Sequence, residues 1–138
     1  MLALSSILRE KLKGQKCTPI ISPIDVVLSE NNVVQPDIVV LCDREKVKNG
    51  VIFGAPDLVV EVLSPSTSTR DRREKKYLYE QYGVKEYILI DPLSKNAERY
   101  FCFDGKFSGP ELFGIDEILT LKSLADLEIN INSLFEEL

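Results

Sequence analysis

The sequence predicts one compact α/β (α+β) domain spanning residues 1–138, on three observations. Three short apolar runs, residues 38–42, 58–63 and 86–91, are each closed off by polar or turn residues, as buried strands are. Helical patterns cover the first dozen residues and 66–82, the second of them lying between two of the strand runs. A chain of 138 residues is also long enough to bury most of its apolar surface in one core, and no repeat or low-complexity linker divides it.

In chain order, Leu4, Ile7, Leu8 and Leu12 recur at spacings of three and four, which predicts an amphipathic helix ending at Gly14 and packed on a sheet. Residues 17–28 are apolar and β-branched but carry Pro19 and Pro23, which suits an edge or irregular strand; Glu30, Asn31 and Asn32 then supply a turn. Pro36-Asp37 opens the run 38–42, and a charged stretch leads to Asn49-Gly50, a favoured turn dipeptide. The run 58–63 is entered through Gly54 and Pro56 and left through Ser64-Pro65. A pairing symmetric about residue 49 would set Asp37 opposite Glu61.

Over 66–82, Ser68 and Asp71 form a candidate capping box and Gly83 a candidate C-terminal stop. At about 100° per residue, Asp71, Lys75, Leu78 and Tyr82 share one stripe, which places Lys75 on the core-facing side, while Arg73, Lys76, Tyr77 and Glu80 point elsewhere. After the strand at 86–91, residues 97–107 read as a peripheral hairpin, and the tail from Ile115 carries a short strand and helical turns around Leu124 and Leu134.

Composition narrows the chemistry. With no histidine, the chain cannot build a Ser-His-Asp triad, a Cys-His pair or an imidazole zinc site, which leaves carboxylates, lysines and hydroxyls. Cys17, Cys42 and Cys102 are odd in number, widely spaced and without CxxC spacing, so they read as reduced core residues. No basic leader is present, the first apolar run breaks at Arg9, Glu10 and Lys11, and no segment has the length of a membrane span; a cytoplasmic protein without a membrane partner is the expectation. The net charge of −5 gives no global attraction to nucleic acid and leaves any such binding to a local patch.

Glu61 interrupts a strand whose other members are apolar, and a buried carboxylate needs a metal ion, a lysine or an arginine beside it; the other reading is a strand that turns Glu61 to solvent. Asp37 after proline is also ordinary turn chemistry, and Lys75 could simply pair with Asp71 one helical turn away. Together, two carboxylates on adjacent strands and a lysine on the following helix suit magnesium-dependent hydrolysis, with Asp37 and Glu61, and in addition the Val62 carbonyl, as oxygen ligands and Lys75 orienting the attacking water. Arg70, Arg72, Arg73 and Lys76 join Lys75 in the one concentrated basic stretch, a solvated helix face or a contact for a phosphate backbone. Tyr79, Tyr82 and Tyr87 read as core residues with their hydroxyls at its edge rather than as a base-stacking platform.

The series Gln35-Pro36-Asp37-Ile38, then residues 56–67 (PDLVVEVLSPST), then Asp71, Lys75 and Tyr79, then residues 83–87 (GVKEY) and Asp91-Pro92 resembles the Uma-two family of restriction endonucleases, a branch of the PD-(D/E)XK superfamily, over roughly residues 17 to 107. The resemblance implies a restriction-endonuclease-like mixed central sheet flanked by helices, DNA as substrate and Mg2+ or Mn2+ as cofactor. It makes Asp37 the motif aspartate and Glu61 the acidic residue of the E-x-K element. Leu63 stands where the standard motif has lysine; the family takes its lysine from the following helix, where Lys75 fits. Members usually begin with a further strand pair and a Glu-rich motif, whereas this chain starts inside the first long helix. The expectation is therefore a shortened N-terminus whose open strand edge could pair with a second copy in a homodimer. A non-catalytic binding or assembly module on the same scaffold is the alternative to an endonuclease.

Overall fold

The computed structural model describes residues 2–67 and 69–136, the side chain of Leu2 excepted. Helix α1 (Leu2–Lys11) leads into an edge strand β1 (Thr18–Ile21), a hairpin of β2 (Asp25–Ser29) and β3 (Asn32–Val34), and strand β4 (Ile38–Leu41). A 3-10 turn and a small hairpin of β5 (Val47–Lys48) and β6 (Val51–Phe53) precede β7 (Leu58–Val62), helix α2 (Thr69–Gln81) and β8 (Glu86–Asp91). The long hairpin β9 (Asn96–Phe103) and β10 (Lys106–Phe113) and the short one β11 (Ile118–Leu121) and β12 (Leu127–Asn130) complete the chain, with 3-10 turns at Lys122–Leu124 and Ile131–Phe135.

Six strands form the main sheet in the order β1-β4-β7-β8-β9-β10. Every neighbouring pair is antiparallel except β7 and β8, which run parallel because α2 carries the chain across between them. The two apolar runs at the centre are buried on both faces, which is why they show no alternation in the sequence. On one face Ile38, Val40, Leu58, Val60, Ile88 and Ile90 pack against Leu4, Leu8 and Leu12 of α1 and against the C-terminal hairpin. On the other, Val39, Leu41, Val59, Tyr87 and Leu89 meet Tyr79 of α2 and the residues Val26 and Ile52 of a second, four-stranded sheet, β3-β2-β6-β5.

Helix α2 stops at Gly83, whose φ of +85° admits a residue without Cβ, while Val84 N–H bonds Tyr79 O and Gly83 N–H bonds Glu80 O. The capping serine expected at Ser68 lies outside the described residues. The helix is turned relative to the sequence-based expectation: Tyr79 is its buried residue, and Lys76 and Glu80 lean inward instead of outward. The reason is the aromatic floor of Tyr87, Tyr100 and Phe107, over which Lys76 lays its ammonium, 4.6 Å from the Tyr100 ring centre. Nor is the hairpin after β8 peripheral: β9 and β10 extend the main sheet, and the tail contributes two paired strands where one was expected.

The cysteines correct a second expectation. Cys17 and Cys42 form a disulfide that joins the start of β1 to the end of β4, and Cys102 is the free thiol, half-buried. Their pairing follows from the antiparallel register of β1 and β4, in which Thr18 faces Leu41 and the next pair outward is Cys17 with Cys42; spacing along the chain contains no such information. Closing a loop with a sequence separation of 25 restricts the unfolded chain, so reduction, or Cys17→Ser, is expected to lower stability by about 3 kcal/mol, read from urea unfolding with and without reductant.

Candidate active site

Strand alternation puts Asp37, Val39 and Leu41 on the α2 side of β4, and Val59 and Glu61 on the same side of β7. The register pairs Ile38 with Val60 and Val39 with Val59, and its continuation by one residue sets Asp37 opposite Glu61. The Asp37 carboxylate is fixed there by the Val62 backbone N–H, which donates to its Oδ2 at 2.7 Å. The sequence-based symmetry about residue 49 thus holds, although the segment between the strands folds into its own hairpin in the second sheet.

Glu61 faces inward, 7 % exposed, so the solvent-facing reading fails. Two groups from α2 meet its Oε2: the Tyr79 hydroxyl donates at 2.9 Å, and the Lys75 ammonium lies at 3.2 Å. Lys75 and Tyr79 are four residues apart and therefore project from adjacent turns toward one point. The lysine reaches Glu61 from the rim, with its side chain 45 % exposed, rather than from a core-facing stripe. Burial pushes the Glu61 carboxyl above its ordinary range, and the Asp37 charge adds to the rise, while Lys75 and the Tyr79 hydrogen bond pull it back. Burial also raises Tyr79, which keeps it a hydrogen-bond donor.

The other acid of the motif, Asp57, lies at the opposite end of β7. Its Oδ1 accepts from Cys42 N–H at 2.8 Å and its Oδ2 pairs with Lys85 at 2.9 Å, a structural clasp between strands. Arg72, Arg73 and Lys76 line one hollow of about 240 Å3 on the far side of α2, with Arg72 also 3.7 Å from Glu98. Arg70 is apart from them, bonded to Glu74 at 3.0 Å. What sequence reasoning missed is the role of Tyr79 as the partner of Glu61; its i+4 spacing from Lys75 was the available signal.

Among the described residues, no helix is long and apolar enough to cross a membrane, and no three His, Cys, Asp or Glu side chains come together as a metal site. The chain thus carries a mixed sheet with one parallel pair at its centre and, by continuation of the β4–β7 register, carboxylates at the ends of adjacent strands. The same architecture is seen in the crystal structure of a putative nuclease belonging to DUF820 from Anabaena variabilis, which aligns with a TM-score of 0.76 at 22 % identity over 96 % of this chain and 75 % of that one. The model of the Uma2 family, described as "Putative restriction endonuclease", matches residues 2–132, and the chain belongs to that family. An uncharacterized protein of Synechocystis sp., slr1290, is 33 % identical over 99 residues, 70 % of this chain; the chain spans about half the length of that relative, 52 %.

Proposed function

We propose that the chain is a magnesium- or manganese-dependent endonuclease that hydrolyses DNA phosphodiester bonds, with Asp37 and Glu61 as metal ligands and Lys75 as the catalytic cation. The observation that carries this reading is the meeting of Asp37, Glu61 and Lys75 at one end of β4 and β7, with Lys75 3.2 Å from Glu61 at the solvent rim. The donor set fits a hard cation: two carboxylates suffice for magnesium, which prefers oxygen and keeps several waters. A divalent ion held there supplies Lewis-acid charge for a phosphoryl oxygen and acidifies water. Lys75, anchored by Glu61 yet half-exposed, can donate a hydrogen bond to a phosphate oxygen on which negative charge develops. Tyr79 holds the Glu61 carboxylate in orientation from below. Arg72, Arg73 and Lys76 would meet the phosphate backbone flanking the cut, while Arg70 is engaged by Glu74.

Nicking of supercoiled plasmid at low salt tests the reading. Wild type is expected to nick with Mg2+ or Mn2+, and Asp37→Ala and Lys75→Ala to lose the activity; a wild type that cuts nothing with either ion would overturn it. Because ionised Glu61 is needed to hold the metal and its carboxyl is pushed up in the metal-free protein, the rate at sub-saturating Mg2+ should rise with pH through a limb above the ordinary carboxylate range. Tyr79→Phe removes a hydrogen bond that favours the charged form, so its limb should lie at higher pH than that of wild type.

A non-catalytic module on the same scaffold is the second reading, favoured by one observation: Glu61 is already compensated inside the protein by Lys75 and Tyr79. Millimolar Mg2+ or Ca2+ would then leave the Tm unchanged in wild type and Asp37→Ala alike. In either reading the domain could pair as a homodimer through an open sheet edge such as β1, which the solution mass would reveal.

A further inference from the structure

A cleft of about 650 Å3 opens between α2 and Asn32 at the start of β3, and Lys75 is part of its wall, so the cleft borders the site described above. Asp71, Tyr77 and Gln81 line it from the helix, and Asn32 from the start of β3. The stripe that the sequence assigned to the core, Asp71, Lys75, Leu78 and Tyr82, is in fact this wall. Its chemistry is unlike that of a phosphate channel. Among the described residues, Lys75 is the one cation that lines it, and Asp71 and Glu74 also border it, Glu74 being ion-paired with Arg70, so the wall lacks the run of cations that a phosphate channel carries. What amide carbonyls recognise is a donor edge, such as the exocyclic amine of a base. Asn32 is held for that task, its amide nitrogen donating to Ser29 Oγ at 2.9 Å and to the Tyr82 hydroxyl at 3.1 Å, with the carbonyl as the group it can offer a ligand. Tyr77 supplies a ring that is 64 % exposed.

We propose that this cleft receives one unstacked nucleobase of a single-stranded or locally opened DNA, adjacent to the phosphate at Lys75, stacked on Tyr77 and read by Asn32 and Gln81. The assignment rests on the nuclease reading and adds a base-recognition subsite to it. A base–aromatic stack is sequence-tolerant, whereas the amide carbonyls of Asn32 and Gln81 favour bases that carry an amine.

The test is fluorescence anisotropy with a fluorescein-labelled single-stranded deoxyoligonucleotide, calcium replacing magnesium, and one abasic site walked along the strand. At one position the lesion should weaken wild-type binding by about five- to a hundredfold, the loss of one stacked base, and should cost Tyr77→Ala nothing further. Lesions that cost wild type and Tyr77→Ala the same at every position would overturn the subsite. Tyr77→Ala should unfold at the wild-type Tm and keep the metal-induced rise, which separates a lost stack from a lost fold. Plasmid nicking that persists beside a flat abasic scan overturns the subsite alone; absence of both nicking and oligonucleotide binding overturns the nuclease reading and the subsite with it.

Discussion

Arg99→Ala is expected to destabilise the fold by about 3–5 kcal/mol, the cost of leaving a buried carboxylate without its cation. The Arg99 side chain is 2 % exposed and lies between two acids, 2.9 Å from Glu111 and 3.7 Å from Glu86, with Nη1 also donating to the Thr120 carbonyl and the guanidinium 4.9 Å from the Phe113 ring centre. Glu86, fully buried at the start of β8, accepts from the backbone N–H groups of Lys122 and Ser123 at 3.1 and 2.9 Å and from the Ser123 hydroxyl at 2.6 Å. That carboxylate thereby caps the 3-10 turn after β11 and ties the C-terminal hairpin to the sheet. Removing Arg99 leaves the hydrogen bonds but not the charge balance. Arg99→Met combined with Glu86→Gln should be milder than Arg99→Ala, since no buried charge is left uncompensated and the amide oxygen can still accept from the Ser123 N–H, while the Lys122 N–H loses its acceptor. Urea unfolding followed by circular dichroism reads all of these; equal midpoints for Arg99→Ala and wild type would show that the pair contributes nothing.

The same arginine sets a pH dependence. Its hydrogen bond holds the Glu111 carboxyl below the ordinary range, so the native state binds fewer protons there than the unfolded chain. The stabilisation is present above the ordinary carboxylate pKa and is lost as pH falls through the depressed one. Arg99→Ala should therefore flatten the acid side of the stability profile. Because Glu111 is half-exposed, solvent screens the contribution and the slope should be shallow.

Asp37→Asn should abolish metal-dependent cleavage, by about a thousandfold or more if the carboxylate is a ligand, while leaving the fold nearly as stable as wild type. Two functions of one side chain separate here. The Asp37 Oδ2 satisfies the Val62 N–H at 2.7 Å, a structural task that an asparagine carbonyl can take over. Asp37→Ala cannot, and is expected to cost about 1–3 kcal/mol in stability on top of the lost chemistry. The informative comparison is thus Asn against Ala: Tm in EDTA should fall only for Ala, whereas the rise of Tm with millimolar Mg2+ should vanish for both. Asp37→Asn also removes a neighbouring negative charge that pushes Glu61 up, so in that variant the Glu61 carboxyl should titrate at lower pH, observable by carboxyl NMR. An Asn variant that still nicks plasmid at the wild-type rate would strike Asp37 from the site.

Much of the architecture was legible in the sequence. Residues 38–41 and 58–62 form the central strands because continuous apolar runs can be satisfied only where both faces are covered, and Gly83 ends α2 because its backbone needs a left-handed residue. Even the pairing of Asp37 with Glu61 could be read from symmetry about residue 49. The rotation of α2 could not. Leu78 and Tyr82 marked an apolar stripe, but the floor beneath the helix is built of Tyr87, Tyr100 and Phe107 from β8, β9 and β10 side by side, and an aromatic floor accepts Tyr79 and the stem of Lys76. The burial of Arg99 was equally invisible, since an arginine in a strand is ordinarily half-exposed, and only the hairpin folding back from residues 118–130 encloses it.

By itself, then, the sequence determined the central strands, the two helices, the central register and the family, because hydrophobic period, turn chemistry and motif spacing are local properties of the chain. Which further groups meet was decided by tertiary structure. Tyr79 meets Glu61, Arg99 meets Glu86, and Cys17 meets Cys42 across separations of 18, 13 and 25 residues, and each contact depends on strand order and helix rotation that burial of the whole core selects.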